Sequence, residues 1–211
     1  NLDIDITVVK TGDKINLGNN TLTFIEVPMV HWPDSMMTYC PEQKVLFSND
    51  GFGQHIATNK TFTDEVDCGI IDKEVAKYYA NILWPLGAMI DRSINNILKM
   101  NLPIDFIAPS HGLVWRKDIN KVIEKYLSWA KNTVTNKAVI VYETMWGSTE
   151  IMAKEIVRAL TDNNIEVKMF DIAKTDFAEI AYEMLEAKAF VIGSSTHDNE
   201  MLAYIAGFIH F

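Results

Sequence analysis

Ala138-Val-Ile-Val-Tyr-Glu-Thr-Met-Trp-Gly-Ser-Thr149 is an apolar run that breaks into a hydroxyl-rich turn. The Val, Ile, Val and Tyr side chains predict a buried strand over 138–142, and the pattern that follows predicts a helix over 149–161. Thr144, Met145, Trp146, Gly147, Ser148 and Thr149 are then the first turn between a strand and a helix. Hydroxyls, a glycine and the unpaired amides of a helix start together suit a phosphate group. No lysine occurs in the loop, which argues against a Walker-type nucleotide site. The competing reading is a Ser/Thr helix cap, and the loop alone leaves that cap favoured.

Downstream, a strand over 165–170, a helix over 176–187, a strand over 188–193 and a helix over 201–210 continue the alternation. Strands alternating with helices of this length predict a parallel sheet. A second loop, Gly193-Ser-Ser-Thr-His-Asp-Asn199, closes the third strand beside the same crevice, where such sheets bind ligands. That position raises the ligand reading above the cap. Three parallel strands are nevertheless a poor stand-alone domain.

Upstream, Asn132-Thr-Val-Thr-Asn-Lys137 is polar and unpatterned, and 132–137 is expected to be a linker between domains at 1–131 and 138–211. Before it the rhythm differs. Strands are expected at 6–10 and 21–28, a hairpin at 36–40 and 44–48, and a helix over 72–83 capped by Asp72. Pro85 and Gly87 should break that helix, with a second one over 89–100, a short strand at 104–108 and an amphipathic helix over 118–131. This is one α+β or layered α/β unit.

The chain has 211 residues and a net charge of −9. That charge argues against nucleic acid, whose binding rests on Lys and Arg neutralising phosphates. No apolar run approaches a membrane span, so no membrane is expected. Cys40 and Cys68 form no C-x-x-C, so neither a disulfide framework nor a thiolate metal knot is indicated, and a cytoplasmic setting fits best. The lack of a signal peptide weighs little, because the chain begins at Asn1 rather than at a methionine.

Three potential metal ligands sit in polar turns after strand-like segments: His31, Asp50 and His111. Two imidazoles and a carboxylate suit non-haem iron, and they suit zinc as well. Taken singly, each is more often a hydrogen-bonded structural residue; taken together, the odds on composition alone are about even.

The stretch from about residue 6 to 131 resembles the second half of the metallo-β-lactamase-like domain of flavodiiron proteins. The resemblance lies in H-W-P-D-S-M at 31–36, S-N-D-G-F-G-Q-H at 48–55, Y-Y-A-N-I-L at 78–83 and P-S-H-G-L-V-W-R at 109–116. The spacings match too, with eighteen residues between His31 and Asp50 and sixty between Asp50 and His111. Residues 138–211 are similar to the flavodoxin-like half of that family, through T-M-W-x-S-T and the loop after the third strand. The implied fold class is α/β: the C-terminal half of an αββα sandwich, followed by the first half of a flavodoxin-like domain.

The resemblance implies two non-haem iron ions, with His31 on one, His111 on the other and Asp50 bridging them. It also implies FMN, with its phosphate at 144–149 and its ring near Ser195, Thr196, His197, Asp198 and Asn199. Met145 and Trp146 either flank the flavin or are packing residues. The implied activity is reduction of dioxygen to water, of nitric oxide to nitrous oxide, or both. Rubredoxin or a flavin- or F420-type reductant is the implied donor, and a head-to-tail homodimer the implied assembly.

This sequence departs from the family in lacking H-x-E-x-D-H, which carries four of the family's seven ligands. It also has Ser195 and Ala203 where prolines are usual, and Asp198 where asparagine is usual. A carboxylate near the ring would lower the flavin potential slightly. His55, five residues past Asp50, is read as structural rather than as a partner of the ligands. The alternatives are a zinc-dependent hydrolase domain of the metallo-β-lactamase type, and an inactive piece or electron-carrying flavin module.

Overall fold

The computed structural model describes residues 6–211, so the first five positions of the expected first domain lie outside the described residues. Two compact units divide between Lys131 and Asn132.

The first unit is built on a five-stranded sheet in sequence order: β1 (Lys14–Asn16), β2 (Thr21–Glu26), β3 (Met36–Cys40), β4 (Val45–Asn49) and β5 (Phe106–Pro109). The first four strands form an antiparallel meander, and β5 pairs parallel to β4. Strands β2, β4 and β5 therefore run the same way, and the loops that follow them emerge at one end of the sheet. The hairpin expected at 36–40 and 44–48 is present as β3 and β4. Residues 6–10, expected as a strand, form none. Side chains hold that end of the chain instead: the Lys10 amide donates to Asp13, and the Thr11 amide and hydroxyl donate to Glu26.

Between β4 and β5 the chain passes through α1 (Cys68–Tyr78) and α2 (Gly87–Lys99), and α3 (Ile119–Ala130) follows β5. The cap of α1 is Asp67 rather than Asp72, because the Asp67 carboxylate accepts from the amides of Gly69 and Ile70. Asp72 lies within the helix and pairs with Lys125 at 2.8 Å. Pro85 does not interrupt the path. It occupies a 3-10 turn (Trp84–Leu86) that joins a π-turn (Tyr79–Leu83) to α2, at a position where a missing N–H costs little.

The core of this unit lies on the helix side of the sheet. There Leu46 and Ile107 face Ile94 and Ile97 of α2, and Tyr79, Tyr126 and Trp129 pack with centroids 5.0–5.6 Å apart. Phe47 points from the opposite face and is 46% exposed. Tyr126 is fully buried, and its hydroxyl accepts from the Phe52 amide at 2.9 Å.

The second unit holds a parallel sheet in the order β7-β6-β8, with β6 (Thr135–Glu143) central between β7 (Glu166–Asp171) and β8 (Ala187–Ser194). Strand β6 starts inside the stretch expected as linker. Polar side chains do not prevent pairing there, since Lys137 aligns with Glu166 and Thr135 with Ala187. Alternate residues of β6 serve two faces. Val139 and Val141 pack with Ile172, Ile180, Ile205 and Phe208, whereas Ile140 and Tyr142 pack with Ala153.

The helices of this unit are α4 (Ser148–Asp162), α5 (Phe177–Met184) and α6 (Ala203–His210). A small hairpin, β9 (Thr196–His197) with β10 (Glu200–Met201), stands where a plain loop was expected. Its turn residues Asp198 and Asn199 both have positive φ, 50° and 65°, the conformation that tight hairpins favour.

Removing the Tyr126 hydroxyl in Tyr126→Phe leaves the buried Phe52 amide without its acceptor. Urea unfolding should show a loss of about 1–3 kcal/mol. An unchanged midpoint would mean that the amide has another partner.

Candidate metal centre and flavin loop

Each of the three same-end loops is closed by its own hydrogen bonds. In the loop after β2, the Trp32 amide donates to Ser35 Oγ at 3.0 Å, and the Val27 amide donates to the Ser35 carbonyl at 3.0 Å. His31 is held between those contacts. After β4, the Ser48 hydroxyl donates to the Gly51 carbonyl at 2.6 Å, and the Gly53 amide donates to the Asp50 carbonyl at 3.2 Å. The loop after β5 is tied to that turn, since the Ser110 amide donates to the Asn49 carbonyl at 2.7 Å and the Gln54 amide to the His111 carbonyl at 3.2 Å.

These loops bring the expected ligands together. His31 Nε2 lies 3.1 Å from Asp50 Oδ2, and His111 Nε2 lies 3.2 Å from Asp50 Oδ1. Asp50 is only 8% exposed, so its charge is set into the protein with both oxygens facing imidazoles. Among the described residues no three His, Cys, Asp or Glu side chains surround a single cation position. The arrangement is instead two pairs, each of one imidazole and one oxygen of a shared carboxylate. Two donors about 2.0–2.2 Å from one cation stand roughly 3.0–3.4 Å apart, so either pair has the span of neighbouring ligands. The donor set fits a metal at each pair.

Two further residues wall the His111 side. His55 packs edge-on against Tyr78 at 4.8 Å and lies 5.6 Å from the His111 ring, with no hydrogen bond to Asp50 among the described residues. Tyr78 is buried, and burial, reinforced by the Asp50 carboxylate, pushes its phenol pKa well up. It stays a neutral hydroxyl.

In the second unit, β6 and β8 are neighbours, and their following loops meet. Helix α4 begins at Ser148 after Gly147, whose φ of +87° only glycine adopts without strain, and no atom lies within 4 Å of where its Cβ would be. The Thr144 hydroxyl oxygen accepts from the Gly147 amide at 3.0 Å. The Thr149 hydroxyl is buried and stands 3.0 Å from the Ser195 hydroxyl, which also accepts from the Met145 amide at 3.4 Å. Two of the three expected hydroxyls thus hold the loop itself. Ser148 has no hydroxyl partner among the described residues and sits at the first turn of a fifteen-residue helix with unpaired amides. An anion fits there.

Trp146 is 90% exposed, so it is not a packing residue of this unit, and Met145 is half-exposed. Thr196, His197, Asp198 and Asn199 are exposed on the small hairpin, with His197 Nδ1 3.4 Å from Asp198 Oδ2. The structure ties the hairpin's base to the first loop through Ser195.

Two families match this chain: residues 4–112 match the ODP family beta lactamase, and residues 140–206 match flavodoxin. The nitric oxide reductase of Moorella thermoacetica is 49% identical over 205 residues, which is 97% of this chain and 51% of that protein. The anaerobic nitric oxide reductase flavorubredoxin of Vibrio vulnificus is 44% identical over 95% of this chain and 41% of its own length. Among solved structures, rubredoxin oxygen:oxidoreductase from Desulfovibrio gigas superposes with a TM-score of 0.96 at 36% identity, covering 99% of this chain and 52% of that one. The chain belongs to the flavodiiron proteins.

The flavodiiron protein from Giardia intestinalis superposes with a TM-score of 0.89 at 33% identity, covering 97% of this chain and 50% of its own. This chain thus spans about half the length of the flavodiiron relatives it matches. The lactamase match ends at Gly112 and so contains all three candidate ligands, while the flavodoxin match contains both hydroxyl loops. One contributor, Gln54, carries no role in the reading of the sequence beyond its place in the motif at 48–55. Ser195, expected near the ring, also ties the two loops together through Thr149 and the Met145 amide.

Because Asp50 serves both imidazoles, Asp50→Ala should lower bound metal more than His31→Ala or His111→Ala. Elemental analysis of the purified variants after iron loading measures this. Equal losses from all three would contradict a shared carboxylate.

Proposed function

We propose that this chain forms part of a flavodiiron oxidoreductase that reduces dioxygen to water, nitric oxide to nitrous oxide, or both. The observation that carries the reading is the meeting of His31 and His111 on opposite oxygens of the buried Asp50. One carboxylate serving two cation positions is the arrangement a two-metal site needs. Relatives named nitric oxide reductase and rubredoxin oxygen:oxidoreductase support the choice of substrates. The flavodoxin match supports redox chemistry over the zinc hydrolase alternative.

His31, Asp50 and His111 would hold iron, each imidazole through Nε2, with the carboxylate between. Iron at that position would supply electrons to a bound diatomic gas. Asp50 is held in place by its own turn, so little reorganisation accompanies binding. Tyr78 keeps a neutral hydroxyl beside the His111 ring, and His55 packs against both rings on that side.

In the second unit, the Ser148 hydroxyl and the first amides of α4 would take the FMN phosphate. Thr144 and Thr149 keep the loop in shape through Gly147 and Ser195. Trp146, Met145 and the residues Thr196 to Asn199 would border the ring. FMN held there would supply one- and two-electron redox chemistry, and the proposed donor is rubredoxin or a flavin- or F420-type reductant. A cytoplasmic setting and a head-to-tail homodimer are part of the same proposal. Among the described residues no helix is long and apolar enough to cross a membrane.

Titration of the purified chain with FMN, followed by quenching of flavin fluorescence, should show saturable binding. Each contact to the phosphate is worth roughly 0.5–1.5 kcal/mol, somewhat more to a charged oxygen. Ser148→Ala should weaken binding a few-fold. After iron loading and flavin reduction, gas uptake measured with an electrode tests the activity. Folded chain that binds neither FMN nor iron would contradict the proposal.

A further inference from the structure

Gln54 is fully buried, with 0% exposure, four residues past Asp50. Both ends of its carboxamide are used. Nε2 donates to the Phe52 carbonyl at 2.7 Å, and Oε1 accepts from the Leu113 amide at 2.8 Å. Its backbone amide donates to the His111 carbonyl at 3.2 Å. One residue therefore clamps the turn that carries Asp50 to the loop that carries His111. The fit is tight: at Gly112, where φ is +84°, an added Cβ would collide with Gln54 Oε1 and with the Gln54 carbonyl oxygen. Among the described residues no hydrogen bond joins Gln54 to the His31 loop, which is closed by Ser35.

We infer that the Gln54 carboxamide is a positioning group for His111, setting the distance of that imidazole from Asp50 while leaving His31 unaffected. A residue that only filled the core would loosen both histidines together when replaced. Gln54 should act on one. The inference deepens the metal-site reading and rests on it for the affinity effect alone, because the clamp is present without metal. Losing a partner that orients a ligand typically lowers metal affinity about 10–100-fold.

Long-range proton–nitrogen spectra of the imidazoles in the metal-free 211-residue chain test the selectivity directly. In Gln54→Met the His111 nitrogen signals should move away from their wild-type positions while those of His31 stay. Gly112→Ala keeps the carboxamide but drives the loop off it, and it should show the same selectivity if Gln54→Met does not fold. Movement of both histidines, or of neither, in the folded variant would overturn the inference. Co(II) titration is the second readout, with affinity in Gln54→Met expected to fall about 10–100-fold and the cobalt absorption bands to change. If wild-type chain binds no Co(II), the metal reading fails, and the imidazole spectra still decide the role of Gln54.

Discussion

The parallel pairing of β5 with β4 is the constraint on which the candidate metal centre depends. Phe47 aligns with Ala108 and Asn49 with Pro109, so both strands finish at the same end of the sheet. The two intervening antiparallel steps turn β2 to that end as well. His31, Asp50 and His111, far apart in sequence, are thereby delivered to one place by backbone direction alone. If β5 paired antiparallel, His111 would emerge at the opposite end and the site would not exist. The helical crossover through α1 and α2 is what permits the parallel strand, since such a connection needs a dozen or more residues.

The same logic governs the second unit. With β6 in the middle of the order β7-β6-β8, the chain leaves the central strand for opposite sides, and the loops after β6 and β8 flank the point where direction of build reverses. Hydroxyl contacts between Thr149 and Ser195 then close the gap between those loops. In both units the scaffold sets the site by topology, and short polar contacts trim it. A buried carboxylate such as Asp50 is costly without partners, which is why two imidazoles facing it is an informative arrangement.

Much of this was legible in the sequence, and the failures share a cause. Strands with a dense apolar run, such as 138–142, were readable because burial on both faces leaves a strong local signal. Residues 6–10 have strand-like composition and no partner strand among the described residues, and composition says nothing of partners. Asp67 and Asp72 both precede helical pattern, and only the backbone shows which carboxylate meets free amides. The candidate ligands were found by motif and spacing. Gln54 was not singled out, because a glutamine in a polar turn gives no local sign of complete burial. Ser195 and Thr149 are 46 positions apart, so their contact is invisible to any short window.

The shared carboxylate is the central claim, and anomalous diffraction at the iron edge from crystals of the iron-loaded chain tests it most directly. Two peaks are expected, one between His31 Nε2 and Asp50 Oδ2 and one between His111 Nε2 and Asp50 Oδ1, each about 2.0–2.2 Å from both atoms. Iron bound elsewhere, or a single ion reached by both histidines without Asp50 between two sites, would contradict it.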